Sequence, residues 1–177
     1  MQTTVEIRRM ADWPADVLQV IRGWMPEAFG DGGGYTWATM DWRVVAFQDG
    51  APVSQVEIVV RDGLANGQAV KLGGIGTVVT PPEHRRKGFA SRAMQAADDF
   101  MRDTLGVEFG FLITGGEFRV RLYSQLGWQV VPGPMFFTQP ERGRVTWPDD
   151  DLPVLMVLPF GGRVWPGGEI DVCGLPW

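Results

Sequence analysis

The sequence predicts a mixed α/β (α+β) domain in which a mostly antiparallel central sheet is flanked by helices. Two observations carry this prediction: three β-type runs joined by short turns lie between residues 42 and 80, and helix-type runs lie on either side of them. The chain has 177 residues, 45% of them hydrophobic, which suits one hydrophobic core. No internal repeat or linker interrupts it, so residues 1–177 are predicted to form a single domain.

The N-terminal elements are a strand and a helix. TTVEIRR (3–9) has the composition of a short strand, and ADVLQVIRGWMPEAF (15–29) has apolar residues at helical spacing. Asp12 is placed to cap this helix, and Pro14 suits a first helical turn. GDGGGY (30–35) is predicted to be a loop. The apolar face of the helix is predicted to contain Val17, Val20, Ile21 and Trp24.

Three strands follow as an antiparallel meander. They are WRVVAFQ (42–48), PVSQVEIVVRD (52–62) and AVKLGGIGTVVT (69–80). The dipeptide Asp-Gly at 49–50 is a hairpin signal, and GLANGQ (63–68) supplies the second turn.

The second half of the chain alternates helices and strands. FASRAMQAADDFMRDTLG (89–106) and GEFRVRLYSQLG (116–127) read as helices, while VEFGFLI (107–113), WQVV (128–131) and VLMVLP (154–159) read as strands. Residues 160–177 are predicted to be irregular. In the first of these helices the predicted apolar stripe is Phe89, Ala93, Ala97, Phe100 and Met101, and the predicted solvent face is Arg92, Asp98, Asp99, Arg102 and Asp103.

Composition argues against several classes of protein. The single cysteine, Cys173, excludes an intrachain disulfide, and with the single histidine, His84, it argues against a zinc site or a histidine-based triad, so no metal is expected. The net charge is −5, so the local cluster of cations does not indicate a nucleic-acid partner. No apolar run is long enough to span a bilayer and the N-terminus lacks a signal-peptide pattern, so a cytoplasmic location is predicted.

The stretch GTVVTPPEHRRKGFASRAM (76–94) has the features of an anion site. Three cations, Arg85, Arg86 and Lys87, precede Gly88 and a predicted helix. The N-terminus of a helix has unpaired N–H groups and a positive dipole, and a glycine there lets backbone approach a ligand closely. The pattern R-x-x-G-x-A differs from a Walker P-loop, and a pyrophosphate suits its chemistry.

This loop, the strand before it and the later segment RLYSQLGW (121–128) together resemble the GNAT superfamily of acyl-CoA-dependent N-acetyltransferases over roughly residues 70–131. The resemblance implies that the loop binds the coenzyme A pyrophosphate, that the preceding strand pairs with the pantetheine arm, and that Tyr123 lies near the thioester sulfur as the acid for the departing thiolate. It also implies that backbone N–H groups near residues 78–80 face the oxyanion. The implied coenzyme contacts are Val78, Val79, Thr80, Arg85, Arg86, Lys87, Gly88, Phe89, Ala90 and Ser91.

The expected activity is transfer of an acetyl group from acetyl-CoA to a primary amine of a small molecule, including a cationic one, or of a peptide. The general base stays open. Many members of the family carry a glutamate on the strand before the loop, where this chain has GGIGTVV (73–79). Glu57, residues 149–151 (all Asp) and the C-terminal carboxylate of Trp177 are substitutes. The alternative is therefore a catalytically inactive, acyl-CoA-binding or regulatory GNAT-fold module.

The C-terminal third has a second resemblance, to aminoglycoside acetyltransferases that modify the 2′ amine. RLYSQLGW, PGP (132–134), PDDDLPVLMVLP (148–159) and the final CGLPW carry it. Tryptophans and carboxylates in this region suit a cationic amine, although packing of the tryptophans at the open end of the sheet, with the acids facing water, explains them slightly better. EAFGDGGGYTW (27–37) is a candidate for the opposite wall of the acceptor site, and a homodimer through C-terminal strands is one arrangement left open.

Overall fold

The computed structural model describes residues 2–30, 34–147 and 154–177. The helices in this part of the chain are α1 (Ala15–Phe29), α2 (Phe89–Asp103) and α3 (Glu117–Gln125). The strands are β1 (Thr3–Arg9), β2 (Trp42–Gln48), β3 (Ala51–Ala65), β4 (Gln68–Val79), β5 (Phe109–Thr114), β6 (Gln129–Val131), β7 (Met135–Gln139), β8 (Gly143–Thr146), β9 (Val154–Pro159) and β10 (Ile170–Asp171).

All ten of these strands belong to one sheet with the order β6-β9-β5-β4-β3-β10-β7-β8, and β2 and then β1 join at β3. Most neighbours are antiparallel, while β4–β5 and β7–β10 are parallel. The predicted fold class, a mixed α/β structure with a mostly antiparallel sheet, is confirmed.

The helices α1 and α2 cover opposite faces of this sheet. Neighbouring residues of β2 show this, since successive side chains of a strand point to opposite sides. Val44 and Ala46 of β2 belong to the core beneath α2, together with Met94 and Tyr123. Val45 and Phe47 pack instead with Ile21 of α1. A third cluster joins β4, β5 and β7 to the C-terminal segment, and it includes Phe111, Phe137, Ile170 and Trp177.

Most predicted element bounds are close to those observed, and β1, α1, β2 and β9 are as predicted. β3 is longer than predicted because it stays paired with β4 up to Ala65↔Gln68, with the turn at residues 66–67. Three short strands, β7, β8 and β10, were missed. They lie in a part of the chain rich in proline and glycine, where local pattern is weak and pairing partners are distant.

Two expectations about the first helix are wrong. Val20 is 44% exposed rather than part of the buried face. The residue before the helix is Pro14, with no side-chain cap, and Asp12 instead ends a short 3-10 turn. Ile21 remains the buried anchor of α1, so the helix packs through a narrower stripe than its sequence indicates.

Asp98 was predicted to face solvent and is instead 7% exposed. It lies four residues after Met94 and three before Met101, both fully buried, so helical spacing puts it on the same face. Its Oδ2 accepts a hydrogen bond from Trp128 Nε1 at 3.3 Å. Helical spacing therefore places this carboxyl on the buried face of α2, and Trp128, on the loop after α3, supplies its hydrogen-bond donor.

Candidate active site

The parallel strands β4 and β5 separate part-way along their length. They are paired from Leu72↔Phe109 to Ile75↔Leu112, and β4 then continues to Val79 without β5. An extra residue in β4 opposite β3 accompanies the separation, and Thr77 has a φ of 50° there. Gln55 of β3 donates from Nε2 to the Thr77 carbonyl at 3.2 Å and so holds the bulge. The outer end of β4 therefore presents backbone groups that no neighbouring strand on the β5 side occupies.

The loop between β4 and α2 presents a run of free backbone N–H groups. A 3-10 turn at Pro82–His84 leads to Arg86 and Gly88, which have left-handed φ values of 60° and 81°. The first helical hydrogen bond runs from Arg92 N to Gly88 O. None of the N–H groups of residues 86–91 donates to another described residue, which leaves them free to bind an anion.

The three predicted cations have different surroundings. Arg85 Nε donates to the Thr80 carbonyl at 2.9 Å, and Lys87 Nζ donates to the Glu83 carbonyl at 2.8 Å, so both side chains brace the loop. The Arg86 side chain is exposed and has no partner among the described residues. Arg86 is therefore the cation of this loop that is most available to a ligand.

Tyr123 lies on α3 beneath the sheet face that α2 covers, and it is 6% exposed. Its ring centroid is 6.4 Å from that of Trp128, and its carbonyl accepts from Trp128 N at 3.2 Å. Burial raises the pKa of Tyr123 to about 12, and the charge of Arg119 acts in the opposite direction. The phenol is therefore protonated at neutral pH and can donate a proton or a hydrogen bond.

A polar row crosses the opposite face of the sheet at the bulge. Arg43 of β2, Glu57 of β3 and Gly76 of β4 are successive cross-strand neighbours. Arg43 donates to Glu57 Oε1 from Nε at 3.1 Å and from Nη2 at 2.6 Å. Glu57, one of the predicted substitutes for the base, thus lies beside the strand that lacks its own carboxylate.

Trp177 explains why β4 has glycine at position 74. A Cβ on Gly74 would lie 2.1 Å from Trp177 Cε2, so the indole occupies the space of a side chain. The indole N–H donates to the Phe111 carbonyl at 3.4 Å, and the Arg61 guanidinium lies 5.4 Å from the ring. The main-chain carbonyl carbon of Trp177 is 3.6 Å from where a Gly76 Cβ would be. Of the other candidate bases, residues 149–151 lie outside the described part of the chain.

Comparison with known proteins identifies the family of this chain. A family described as Acetyltransferase (GNAT) domain matches residues 35–131, which is more than half of the chain. The chain belongs to the GNAT acetyltransferase family. No protein of curated function matches the sequence significantly.

Solved structures share the fold of this GNAT chain. YhbS of Escherichia coli, a GNAT family N-acetyltransferase in complex with CoA, is 14% identical with a TM-score of 0.65, covering 97% of this chain and 91% of its own. NAA60 of Arabidopsis thaliana, in complex with a bisubstrate analogue, is 16% identical with a TM-score of 0.56, covering 90% and 100%. The ribosomal-protein-S18-alanine N-acetyltransferase of Escherichia coli is 15% identical with a TM-score of 0.56, covering 93% and 98%.

The segment before β2 forms a wall beside the C-terminal residues in this GNAT chain. Gln139 of β7 exchanges hydrogen bonds with the Thr36 backbone, at 2.8 Å to its N–H and 2.9 Å to its carbonyl. Ala38 N donates to the Pro176 carbonyl at 2.7 Å. Tyr35 stacks on Trp147 with ring centroids 5.4 Å apart. Packing thus accounts for Trp147, and residues 31–33 of the predicted loop lie outside the described part.

A cavity of about 220 Å³ separates α1 from the loop after β4. It is lined by Gly23, Trp24, Glu27, Ala28, Val79, Pro81, Pro82, Glu83 and Arg85. Nearby His84 is half-buried, with its ring packed on Phe89 and its Nδ1 sealed without a partner among the described residues. The histidine therefore belongs to the packing of the loop.

A metal site requires a group of ligand side chains, and a membrane span requires a long apolar helix. Among residues 2–30, 34–147 and 154–177, no three His, Cys, Asp or Glu side chains are grouped as a metal site would need. No helix in the same ranges has the length and apolar character required to cross a membrane.

Proposed function

We propose that this GNAT chain transfers an acetyl group from acetyl-CoA directly to a primary amine of a small molecule, including a cationic one, or of a peptide. The observation that carries the proposal is the separation of β4 from β5 after Ile75. Beyond it, β4 leads into the loop whose backbone N–H groups at residues 86–91 are free. A slot between strands suits an extended thioester arm, and a helix N-terminus suits its pyrophosphate. We also propose that the chain acts as one catalytic domain.

In this proposal the N–H groups of residues 86–91 and the Arg86 side chain bind the coenzyme phosphates. Val78, Val79 and Thr80, at the open end of β4, contact the pantetheine arm. Gly88 is required because the backbone has a φ of 81° there, which other residues adopt at a cost. Arg85 and Lys87 act by bracing the loop through the Thr80 and Glu83 carbonyls.

Tyr123 supplies the proton that the departing thiolate needs. Attack by the amine forms a C–N bond and breaks the C–S bond, and the sulfur leaves as a thiolate. Tyr123 keeps its proton at neutral pH, so its hydroxyl has a proton to donate to that sulfur. No metal is needed in this scheme, because a hydrogen-bonded oxyanion and an acid together lower the barrier.

The second candidate is a coenzyme-binding module without turnover. The observation in its favour is that β4 carries glycine at 73, 74 and 76 and presents no carboxylate towards the opening. Both candidates require coenzyme binding, and turnover distinguishes them.

The first experiment is thermal unfolding with and without acetyl-CoA. A ligand at about 100 times its dissociation constant adds about 2.7 kcal/mol to the native state. For a chain of this size the midpoint then rises by roughly 5 to 10 °C. Arg86→Glu is expected to reduce this rise, and Arg142→Glu, in the distant turn between β7 and β8, serves as the matched control. No rise in the folded wild type would refute both candidates.

The second experiment measures release of the coenzyme thiol with a panel of primary amines. The panel contains spermidine, an aminoglycoside with a free 2′ amine, and a peptide with a free N-terminal alanine. The aminoglycoside follows from the resemblance of the C-terminal third, and the peptide follows from the alanine N-acetyltransferase among the structural relatives. Turnover of any member supports the acetyltransferase, and coenzyme binding without turnover of any of them favours the inactive module.

A further inference from the structure

The outer end of β4, residues 77–80, has a conformation that needs support. The regular ladder between β3 and β4 is interrupted by the bulge, where Thr77 has a φ of 50°. A left-handed φ is unfavourable for a β-branched residue, so it persists only where surrounding contacts hold it. On the other side, β5 pairs with β4 only as far as Ile75, so it does not supply these contacts.

Two polar side chains of β3, Ser54 and Gln55, supply them, and both residues are 0% exposed. The Ser54 hydroxyl donates to the Val79 carbonyl at 3.2 Å, and its oxygen lies 2.8 Å from that of the Thr80 hydroxyl. Gln55 donates from Nε2 to the Thr77 carbonyl at 3.2 Å. A buried polar side chain needs hydrogen bonds, and both of these side chains make theirs to the outer end of β4.

Ser54 and Gln55 reach β4 from opposite faces of the sheet. Ser54 is the cross-strand neighbour of Ala46, which belongs to the core beneath α2. Gln55 is the neighbour of Val45, which packs with α1. Directly opposed residues of two paired strands lie on the same face. The outer end of β4 is therefore held from both faces, while its β5 side stays open.

Thr80 connects this arrangement to the basic loop. Its hydroxyl pairs with Ser54, and its carbonyl accepts from Arg85 Nε at 2.9 Å. Ser54, Thr80 and Arg85 thus form a continuous connection from the centre of the sheet to the loop whose N–H groups are free. In the proposed function these two regions bind the arm and the pyrophosphate of one coenzyme molecule, so the distance between them has to match the coenzyme.

We propose that Ser54 and Gln55, together called the β3 clamp, are positioning residues for the coenzyme. They hold residues 77–80 in the conformation that receives the pantetheine arm, at a fixed distance from the basic loop. The inference rests on the proposed binding of acetyl-CoA and names the residues that prepare the site for it.

The β3 clamp acts on affinity through the conformation of the free protein. Apparent affinity falls in proportion to the fraction of molecules in the binding-competent conformation. Without the clamp, the strained bulge at Thr77 relaxes into other conformations, and the coenzyme must reorder the strand when it binds. With the clamp, the strand end is already ordered before the coenzyme arrives.

Gln55 separates positioning from a purely structural role. Its Oε1 is sealed and accepts nothing from the described residues, so this acceptor destabilises the fold. Gln55→Leu removes the unpaired acceptor together with the bond to Thr77, so the urea midpoint of the free protein should change little. Coenzyme affinity should nevertheless fall. A purely structural residue would move the midpoint and leave the affinity unchanged.

The test measures the dissociation constants of coenzyme A and of adenosine 5′-diphosphate by isothermal titration calorimetry. The nucleotide has the pyrophosphate but not the arm, so it reports on the basic loop alone. We expect Ser54→Ala and Gln55→Leu each to weaken coenzyme A binding roughly 3- to 10-fold, the effect of one or two net hydrogen bonds, and to leave nucleotide binding as in the wild type. Thr146→Val, which removes an exposed hydroxyl on the distant edge strand β8, is the matched control.

A second set of variants tests the hydroxyl pair from the β4 side. Thr80→Val keeps the shape of the side chain without the hydroxyl, and coenzyme A binding should weaken over the same range. Thr80→Ser retains the hydroxyl, and its affinity should match that of the wild type. In the double variant Ser54→Ala, Thr80→Val the two effects should be less than additive, because both changes remove the same contact.

Several results would overturn the β3 clamp. These are wild-type affinity for coenzyme A in Ser54→Ala, an equal loss of nucleotide binding, or fully additive effects in the double variant. If Ser54→Ala does not fold, the comparison of Thr80→Val with Thr80→Ser decides alone. A wild type that does not bind coenzyme A would refute the proposed function and this inference together, whereas equal binding by the wild type and the variants would refute this inference only.

Discussion

Two regions of this protein meet at β4 and are built in opposite ways. The proposed coenzyme edge, residues 76–91, is one continuous piece of chain that offers mainly backbone groups. The Arg43–Trp177 face, comprising Arg43, Gln55, Glu57, Gly74 and Trp177, consists of side-chain contacts between residues far apart in sequence. A backbone site depends on conformation, whereas a side-chain site depends on the identity of each contributor.

This difference accounts for what the chain shares with its structural relatives. Proteins only 14–16% identical to it have the same fold. A separated strand pair and a helix N-terminus require few particular side chains, since N–H groups are common to all residues but proline. The contacts between β2, β3 and the C-terminal segment depend instead on particular side chains, so they tolerate fewer substitutions. The Arg43–Trp177 face is therefore the region where this chain is expected to differ most from its structural relatives.

The largest predicted effect tests the side-chain contacts of the Arg43–Trp177 face. Arg43→Met leaves Glu57 without its cation in a buried setting, and we expect a loss of roughly 3–5 kcal/mol in the free energy of unfolding. Urea denaturation measures it. The double variant Arg43→Met, Glu57→Met is expected to recover most of the loss, because no uncompensated charge remains. Arg102→Met, at an exposed cluster, should leave the urea midpoint unchanged.

The next effect concerns Tyr123 and the proton that it is proposed to give to the coenzyme sulfur. Tyr123→Phe removes the phenolic proton and keeps the ring, so we expect turnover to fall roughly 100-fold. The rise in unfolding temperature with acetyl-CoA should stay as in the wild type, since the ring still packs on Trp128. Unchanged turnover would show that another group protonates the thiolate. Release of the coenzyme thiol with the best amine of the panel provides the measurement.

A smaller effect is expected where the C-terminal segment meets β4. Gly74→Ala introduces a Cβ at a position 2.1 Å from Trp177 Cε2, and overpacking of this kind costs about 1–3 kcal/mol. Gly23→Ala, in α1 with no atom within 4 Å of the new Cβ, is the control, and it should stabilise the protein by about 0.5–1 kcal/mol. Thermal denaturation compares the pair. Equal stabilities would mean that the indole moves aside freely.

The last effect appears as a dependence on pH. Burial raises the pKa of Asp98 to about 7, with the hydrogen bond from Trp128 acting in the opposite direction. The native state therefore binds more protons than the unfolded state between pH about 4 and 7, and Asp98 contributes most at low pH. The Asp98→Asn variant keeps a side-chain oxygen that accepts the hydrogen bond from Trp128. The free energy of unfolding of this variant, relative to that of the wild type, should therefore increase as the pH rises through this interval. A difference that stays constant with pH would contradict the raised pKa.

The sequence predicted the coenzyme edge closely because its signals are local. A strand that ends at two prolines, a cluster of cations, Gly88 and an amphipathic run are all read from neighbouring residues. The left-handed φ of Gly88 follows from the residue type, whereas that of Arg86 does not. The binding roles of residues 78–91 and of Tyr123 stay predictions until the coenzyme is bound.

The Arg43–Trp177 face could not be predicted to the same depth. Glu57 was one of several candidate bases, and nothing in its local sequence distinguished it. Gln55 gave no signal at all, because an amide in a strand is recognised as unusual only once its burial is known. Asp98 is charged and was therefore predicted to face solvent, and its hydrogen-bond partner, Trp128, lies thirty positions further along the chain.

By itself, the sequence determined the order of the main elements, the meander, the basic loop and its helix, since period, turn residues and charge act between neighbours. Tertiary structure alone decided that β4 and β5 separate after Ile75 and that Arg43 holds only one oxygen of Glu57. It also decided that Trp177 fills the space above Gly74. The physical reason is that packing and hydrogen-bond satisfaction depend on which distant segments meet, and that is fixed only when the whole sheet has formed.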